Sequence, residues 1–182
     1  MRKIVFSFVF LVGASSFASC SADQRHADAP LAPVAPADIV SITSEMLHFA
    51  GAETKPSSLV HAVTGVPPDV DPSREHWGYH HGAFQSMDGY LVTDLEVRVR
   101  SGGFDAAPFI LLHVGDDPCL SLESLARSMG TADKVYFPPS PHAPNGTSAQ
   151  GYALNTRTGG RLVIASRGKP WNCVTLITAS PT

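Results

Sequence analysis

Residues 88–100 read Asp-Gly-Tyr-Leu-Val-Thr-Asp-Leu-Glu-Val-Arg-Val-Arg, a pattern with a period of two that suits a strand and no helix. Leu91, Thr93, Leu95, Val97 and Val99 fall on one side of an extended backbone. Tyr90, Val92, Asp94, Glu96, Arg98 and Arg100 fall on the other. That is a half-buried antiparallel strand with a charged outer face. Asp88-Gly89 in front of it suits a primed two-residue turn, so residues 84–87 are expected to run back along it as the other arm of a hairpin.

Other segments extend the same sheet. Residues 109–114 are apolar on both faces and suit a central strand, and 134–137, 150–156, 161–166 and 172–179 suit further strands. Thr158-Gly159-Gly160 sits between two of these as a hairpin turn. Helical stripes are fewer. Asp38 is placed to cap a helix carrying Ile39, Ile42, Met46 and Phe49, with Gly51 as its stop. Ser57 is placed to cap a short helix over 59–63, ending at Gly65. Asp117-Pro118 opens a third, with Cys119, Leu122, Leu125, Ala126 and Met129 on one face. The fold class that follows is α+β: an antiparallel sheet of five or six strands with a helix packed on one face.

The N-terminus has a different character. Arg2-Lys3, an apolar run of about nine residues and a small-residue stretch ending in cysteine make a secretory signal segment, too short for a spanning helix. Phe17-Ala18-Ser19-Cys20 resembles the lipobox of bacterial lipoproteins, with phenylalanine where leucine is usual. The resemblance implies that Cys20 is acylated and becomes the first residue of the mature chain. It also implies a lipid anchor in the cell envelope, and Ser21 goes with outer-membrane sorting toward the periplasm in enteric bacteria. The rival reading is an ordinary signal cleavage after Ala18, with Ser16 and Ala18 as the small residues. The organisation is then 1–19 signal peptide, 20–37 lipidated tether and 38–182 a single domain. Pro30, Pro33 and Pro36 favour extended polyproline conformations in the tether, at about 3.1 Å per residue.

Three cysteines are an odd number for an oxidising compartment. With Cys20 acylated, Cys119 and Cys173 remain as one pair that would pin helix to sheet; the alternative is two buried free thiols. Removing residues 1–19 takes Arg2 and Lys3 and no acid, moving the formal charge from −3 to −5. A mildly acidic domain with no basic stripe argues against a nucleic-acid partner. No cofactor motif is present.

Candidate site residues fall into three groups. His76, His80 and His81 lie in Arg-Glu-His-Trp-Gly-Tyr-His-His-Gly. His76 and His80 share a strand face, but they are too far apart for one ion without a bend, and a third ligand would have to come from elsewhere. Trp77, Tyr79 and His80 in that segment, His142 in the proline-rich loop 138–149, and Trp171 form the candidate binding surface. His113 followed by Asp116 is a candidate acid–base pair, weighed against a core histidine beside a turn residue. Ser166-x-x-Lys169 is no nucleophile motif, because Gly168 and Pro170 make it a turn.

Three functions follow. The leading one is an envelope lipoprotein whose domain binds another protein in an inhibitor, immunity or assembly role. The others are a glycan or small-ligand binder using exposed aromatics, and a hydrolase using His113 with a nearby acid.

Overall fold

Asp38 starts the first helix as its side-chain chemistry dictates, its Oδ1 accepting the Ser41 N–H at 2.7 Å. The cap is charged, and the Ser41 N–H holds the Asp38 carboxyl below its ordinary value. In the computed structural model, which describes residues 32–68, 79–98, 108–138, 148–168 and 171–182, this helix is α1 (Ile39–Ala50). Its stripe of Ile39, Ile42, Met46 and Phe49 is buried, and Gly51 ends it. Helix α2 (Pro56–Thr64) packs against it, with Lys55 rather than Ser57 as the cap residue. Pro56 takes the first helical position there, where its missing N–H costs nothing.

The sheet has eight strands among the described residues, more than the five or six expected, and all pairings between named strands are antiparallel. They are β1 (Tyr79–His81), β2 (Phe84–Gln85), β3 (Leu91–Arg98), β4 (Phe109–Val114), β5 (Asp133–Phe137), β6 (Ala149–Asn155), β7 (Arg161–Arg167) and β8 (Leu176–Ser180). The order is β1-β3-β4-β8-β7-β6-β5, with β2 also on β3. Strand β1 was not foreseen; it and the expected hairpin arm β2 are two short pieces that share one side of β3. Three residues are too few to show a period. As expected, β4 is central, with Ile110, Leu111 and Leu112 buried. Helix α1 packs on β7 and β8, and α3 (Leu122–Ser128) packs on β7. One core cluster joins Phe49, Leu59 and Leu125 to Leu95, Ile110, Leu112, Ile164 and Ile177.

Three details differ from the sequence reading. The hairpin pairs Gln85 with Leu91, and Ser86 donates its N–H to the Tyr90 carbonyl, so its loop is the three residues 87–89 with Gly89 at φ +94°. The register of β3 also shifts between Val92 and Asp94. Thr93 is the extra residue, so Val92 is buried beside Leu95 and Val97 while Thr93 is exposed. Finally, α3 begins at Leu122 with Ser121 as its cap, not at Pro118. Residues 120–122 pair instead with 172–174: Leu122 N–H donates to Asn172 and Val174 N–H to Leu120.

Cys119 and Cys173 form the expected disulfide. Cys119 lies exposed before the helix rather than on its buried face. The bridge closes a sequence separation of 54, worth about 4 kcal/mol in the chain-entropy model. Residues 33–37, the end of the proline-rich stretch, belong to the fold. Ala35 N–H donates to Gln85 and Met87 N–H to Ala37, so this segment lies along β2 and Ala35 is buried.

Glycine is required where α1 meets the β6–β7 hairpin. A Cβ at Gly160 would overlap the Ala50 carbonyl oxygen, and Thr158 Oγ1 donates to the Gly51 carbonyl beside it. Gly160→Ala is expected to destabilise the protein by about 2 kcal/mol or more, read as a lower urea midpoint at unchanged slope. An unchanged midpoint would show that α1 and the hairpin yield without cost.

Candidate functional site

The shifted register of β3 decides where its charges go. After Thr93, Asp94, Glu96 and Arg98 alternate with buried Leu95 and Val97, and so share the face of the sheet away from the core. The pairing sets His80 opposite Glu96 and His113 opposite Asp94. Histidines from two different sequence segments thus converge on one carboxylate pair.

The contacts are specific. Arg98 Nε donates to Glu96 Oε2 at 2.6 Å, and its Nη2 reaches the same oxygen. Glu96 Oε1 faces His113 Nε2 at 3.7 Å, too long for a hydrogen bond. His80 Nε2 lies 2.7 Å from Asp94 Oδ1, an ion-pair distance without the alignment of a directed hydrogen bond. Two atoms of the cluster are sheltered: Asp94 Oδ1 and His113 Nε2 are both inaccessible and lack a hydrogen-bond partner.

The two acids titrate in opposite directions. Burial pushes the Asp94 carboxyl above its ordinary value, the neighbouring Glu96 adds to this, and His80 only partly offsets it. Burial alone would raise Glu96 as well, but the Arg98 guanidinium overrides it and holds that carboxyl low. Neighbouring acids whose environments push them in opposite directions mark a place where groups of unlike proton affinity meet.

The expected site residues distribute as follows. His80 and His113 meet in this cluster; the acid beside His113 is Glu96, while Asp116 lies exposed in the turn after β4. Tyr79 shares its hydroxyl with His81 Nδ1 at 3.0 Å and stacks on that ring. Trp171 belongs elsewhere, 6.1 Å from the Tyr136 ring, at a cavity of about 300 Å³ that also involves Glu123, Lys134, Gln150 and Asn172. Cys20, His76, Trp77 and His142 lie outside the described residues. The sequence reading missed Asp94, Glu96 and Arg98 as site residues, although their alternation on one face was the available signal. It also missed the exposed pair Tyr136 and Phe137 on β5.

Compared with known proteins, the chain matches no family model, no curated protein and no solved structure.

The titration of the pair has a sign. Asp94 binds its proton more tightly when folded, so its contribution to stability is full below about pH 3.8 and is lost as pH rises through the native value. Glu96 behaves conversely, its contribution being full above about pH 4.5 and lost as pH falls through its depressed value. Asp94→Asn removes the acid that resists ionisation and leaves the Glu96–Arg98 pair intact. The variant is expected to gain stability on wild type as pH rises from 4 to 8, on the order of 1 kcal/mol in urea unfolding. A gain that grows toward acid pH would contradict this assignment.

Proposed function

We propose that the chain is a lipid-anchored envelope protein, held through Cys20 at the outer membrane and facing the periplasm, whose domain binds another protein in an inhibitor, immunity or assembly role. The observation that carries the reading is the edge strand β5. It ends the sheet, and among the described residues it pairs only with β6. An edge of this kind offers a row of backbone donors and acceptors to an incoming strand. Its own Tyr136 and Phe137, one on each face of the strand, are 58% and 37% exposed, so both faces of the edge present an aromatic ring. The cavity at Trp171 and Lys134 adjoins the same strand and can receive a side chain of the bound segment. Aromatic anchors beside a pocket are the usual centre of a binding surface.

The anchor is supported by sequence alone: the signal segment, the lipobox-like tetrapeptide and the proline-rich stretch behind it. Among the described residues no helix is long and apolar enough to cross a membrane. The glycan or small-ligand reading draws on the same cavity, because Trp171 offers a stacking face and Gln150 and Asn172 offer amides.

Two measurements test the proposal. Capture from envelope extract of the source organism with the disulfide-intact protein should retain one stoichiometric partner. The double variant Tyr136→Ala, Phe137→Ala should weaken that partner at least ~30-fold, the scale of a lost hot spot. A partner retained equally by both proteins moves the interface off β5, and retention of glycan fragments alone supports the ligand reading. Separately, Cys20→Ala should move the chain from the membrane pellet to the soluble envelope fraction. If the variant stays in the pellet, the lipid anchor is wrong.

A further inference from the structure

The cluster on β1, β3 and β4 lies at the opposite end of the strand order from β5, and partner binding leaves its arrangement unexplained. Asp94, Glu96 and His113 each offer one ligand atom, and these atoms lie within 4.8 Å of one another. His113 Nε2 and Glu96 Oε1 face each other across 3.7 Å, and the imidazole nitrogen is buried with no hydrogen-bond partner. A gap too long for a hydrogen bond is close to the ~3.4 Å that separates two ligands of a tetrahedral ion bound at about 2.1 Å. We propose that Asp94, Glu96 and His113 bind a first-row divalent cation of the zinc type, shared between one imidazole and two carboxylates.

The surrounding groups fit an outer layer. Arg98 occupies Glu96 Oε2 and so leaves Oε1 turned toward His113, which fixes the carboxylate as a single-oxygen ligand. His80 sits on the Asp94 carboxylate at 2.7 Å, the position from which a second histidine orients a ligating acid. The ligands stand on two neighbouring strands, so their spacing is set by the ladder between β3 and β4 rather than by a loop. One imidazole and two carboxylates also leave a coordination position open to water or to an outside group. Oxygen and imidazole donors without thiolate suit zinc, cobalt or nickel better than copper(I).

The test uses tag-free, disulfide-intact protein. Titration with Zn²⁺ by calorimetry, and with Co²⁺ by visible absorption, should each give one ion per chain. Glu96→Gln and His113→Gln should each weaken binding by about 100-fold or more, and His80→Ala by about 10-fold. Glu53→Gln, exposed just beyond α1, should leave it unchanged. A measurement on the unaltered protein guards against misfolded variants: Zn²⁺ should shift the His113 Nε2 resonance in ¹H–¹⁵N spectra. The proposal is overturned if no stoichiometric ion binds at about 1 mM metal. It is equally overturned if binding survives both ligand variants, or if the ¹⁵N shift falls on other histidines alone. None of these readouts depends on a partner at β5.

Discussion

Because side chains alternate along a strand, one extra residue exchanges the faces of everything beyond it. Thr93 is that residue. Were Thr93 paired regularly, burying Leu95 and Val97 would turn Val92 out to solvent and leave Thr93 facing the core. With the register shift, Val92, Leu95 and Val97 all join the cluster beneath α1, and Asp94, Glu96 and Arg98 all emerge on the far face. Burying the Val92 side chain stabilises by about 1.5–3 kcal/mol, enough to hold the irregularity in place. The same constraint gathers the charges. Asp94 lies opposite His113 only in this register, and Glu96 lies opposite His80 on the other side of β3.

The start of α1 and the hairpin before β3 are also linked. Asp88 of the loop accepts from Ile39 N–H at 3.1 Å and from Ser86 Oγ at 2.7 Å. Its carboxylate therefore serves the hairpin and the helix start together, beside the Asp38 cap. The sequence predicted a turn from Asp88-Gly89, correctly, but the choice between two and three loop residues depends on the helix docking behind it. A pattern argument sees only the strand. This is why α1, the central β4, the Thr158–Gly160 turn and the Cys119–Cys173 pair were legible, whereas the bulge, the short β1 and the start of α3 were not. Each of the missed features is set by a long-range contact: Val92 with the core, β1 with β3, and residues 120–122 with 172–174. The site was half legible. His80 and His113 were marked as separate candidates, and nothing local in the sequence brings them to one carboxylate pair.

The charged cluster is a poor stabilising device. A partly exposed ion pair such as Glu96–Arg98 contributes at most about 1 kcal/mol, and a second carboxyl placed beside it pays back some of that through desolvation and repulsion. An apolar pair on this face would serve the fold as well. The arrangement is better understood as a geometry kept for what it holds, which is the physical content of the metal proposal.

The other end of the sheet follows a different logic, in which rigidity rather than charge matters. Ser121 and Asn172 both line the cavity, and the backbone segments that carry them are joined twice, by hydrogen bonds and by the Cys119–Cys173 bridge. A recess whose walls are tied in this manner loses little freedom when it is filled, so more of the contact energy appears as affinity. The bridge persists only in an oxidising compartment, which is where the proposed envelope anchor would place the domain. Reduced chain keeps β5 and its aromatics but loses the covalent tie behind Trp171. On the proposed envelope location, the binding surface becomes fully preorganised only once the bridge has formed, so the proposal ties the place of action to the state in which the domain can bind.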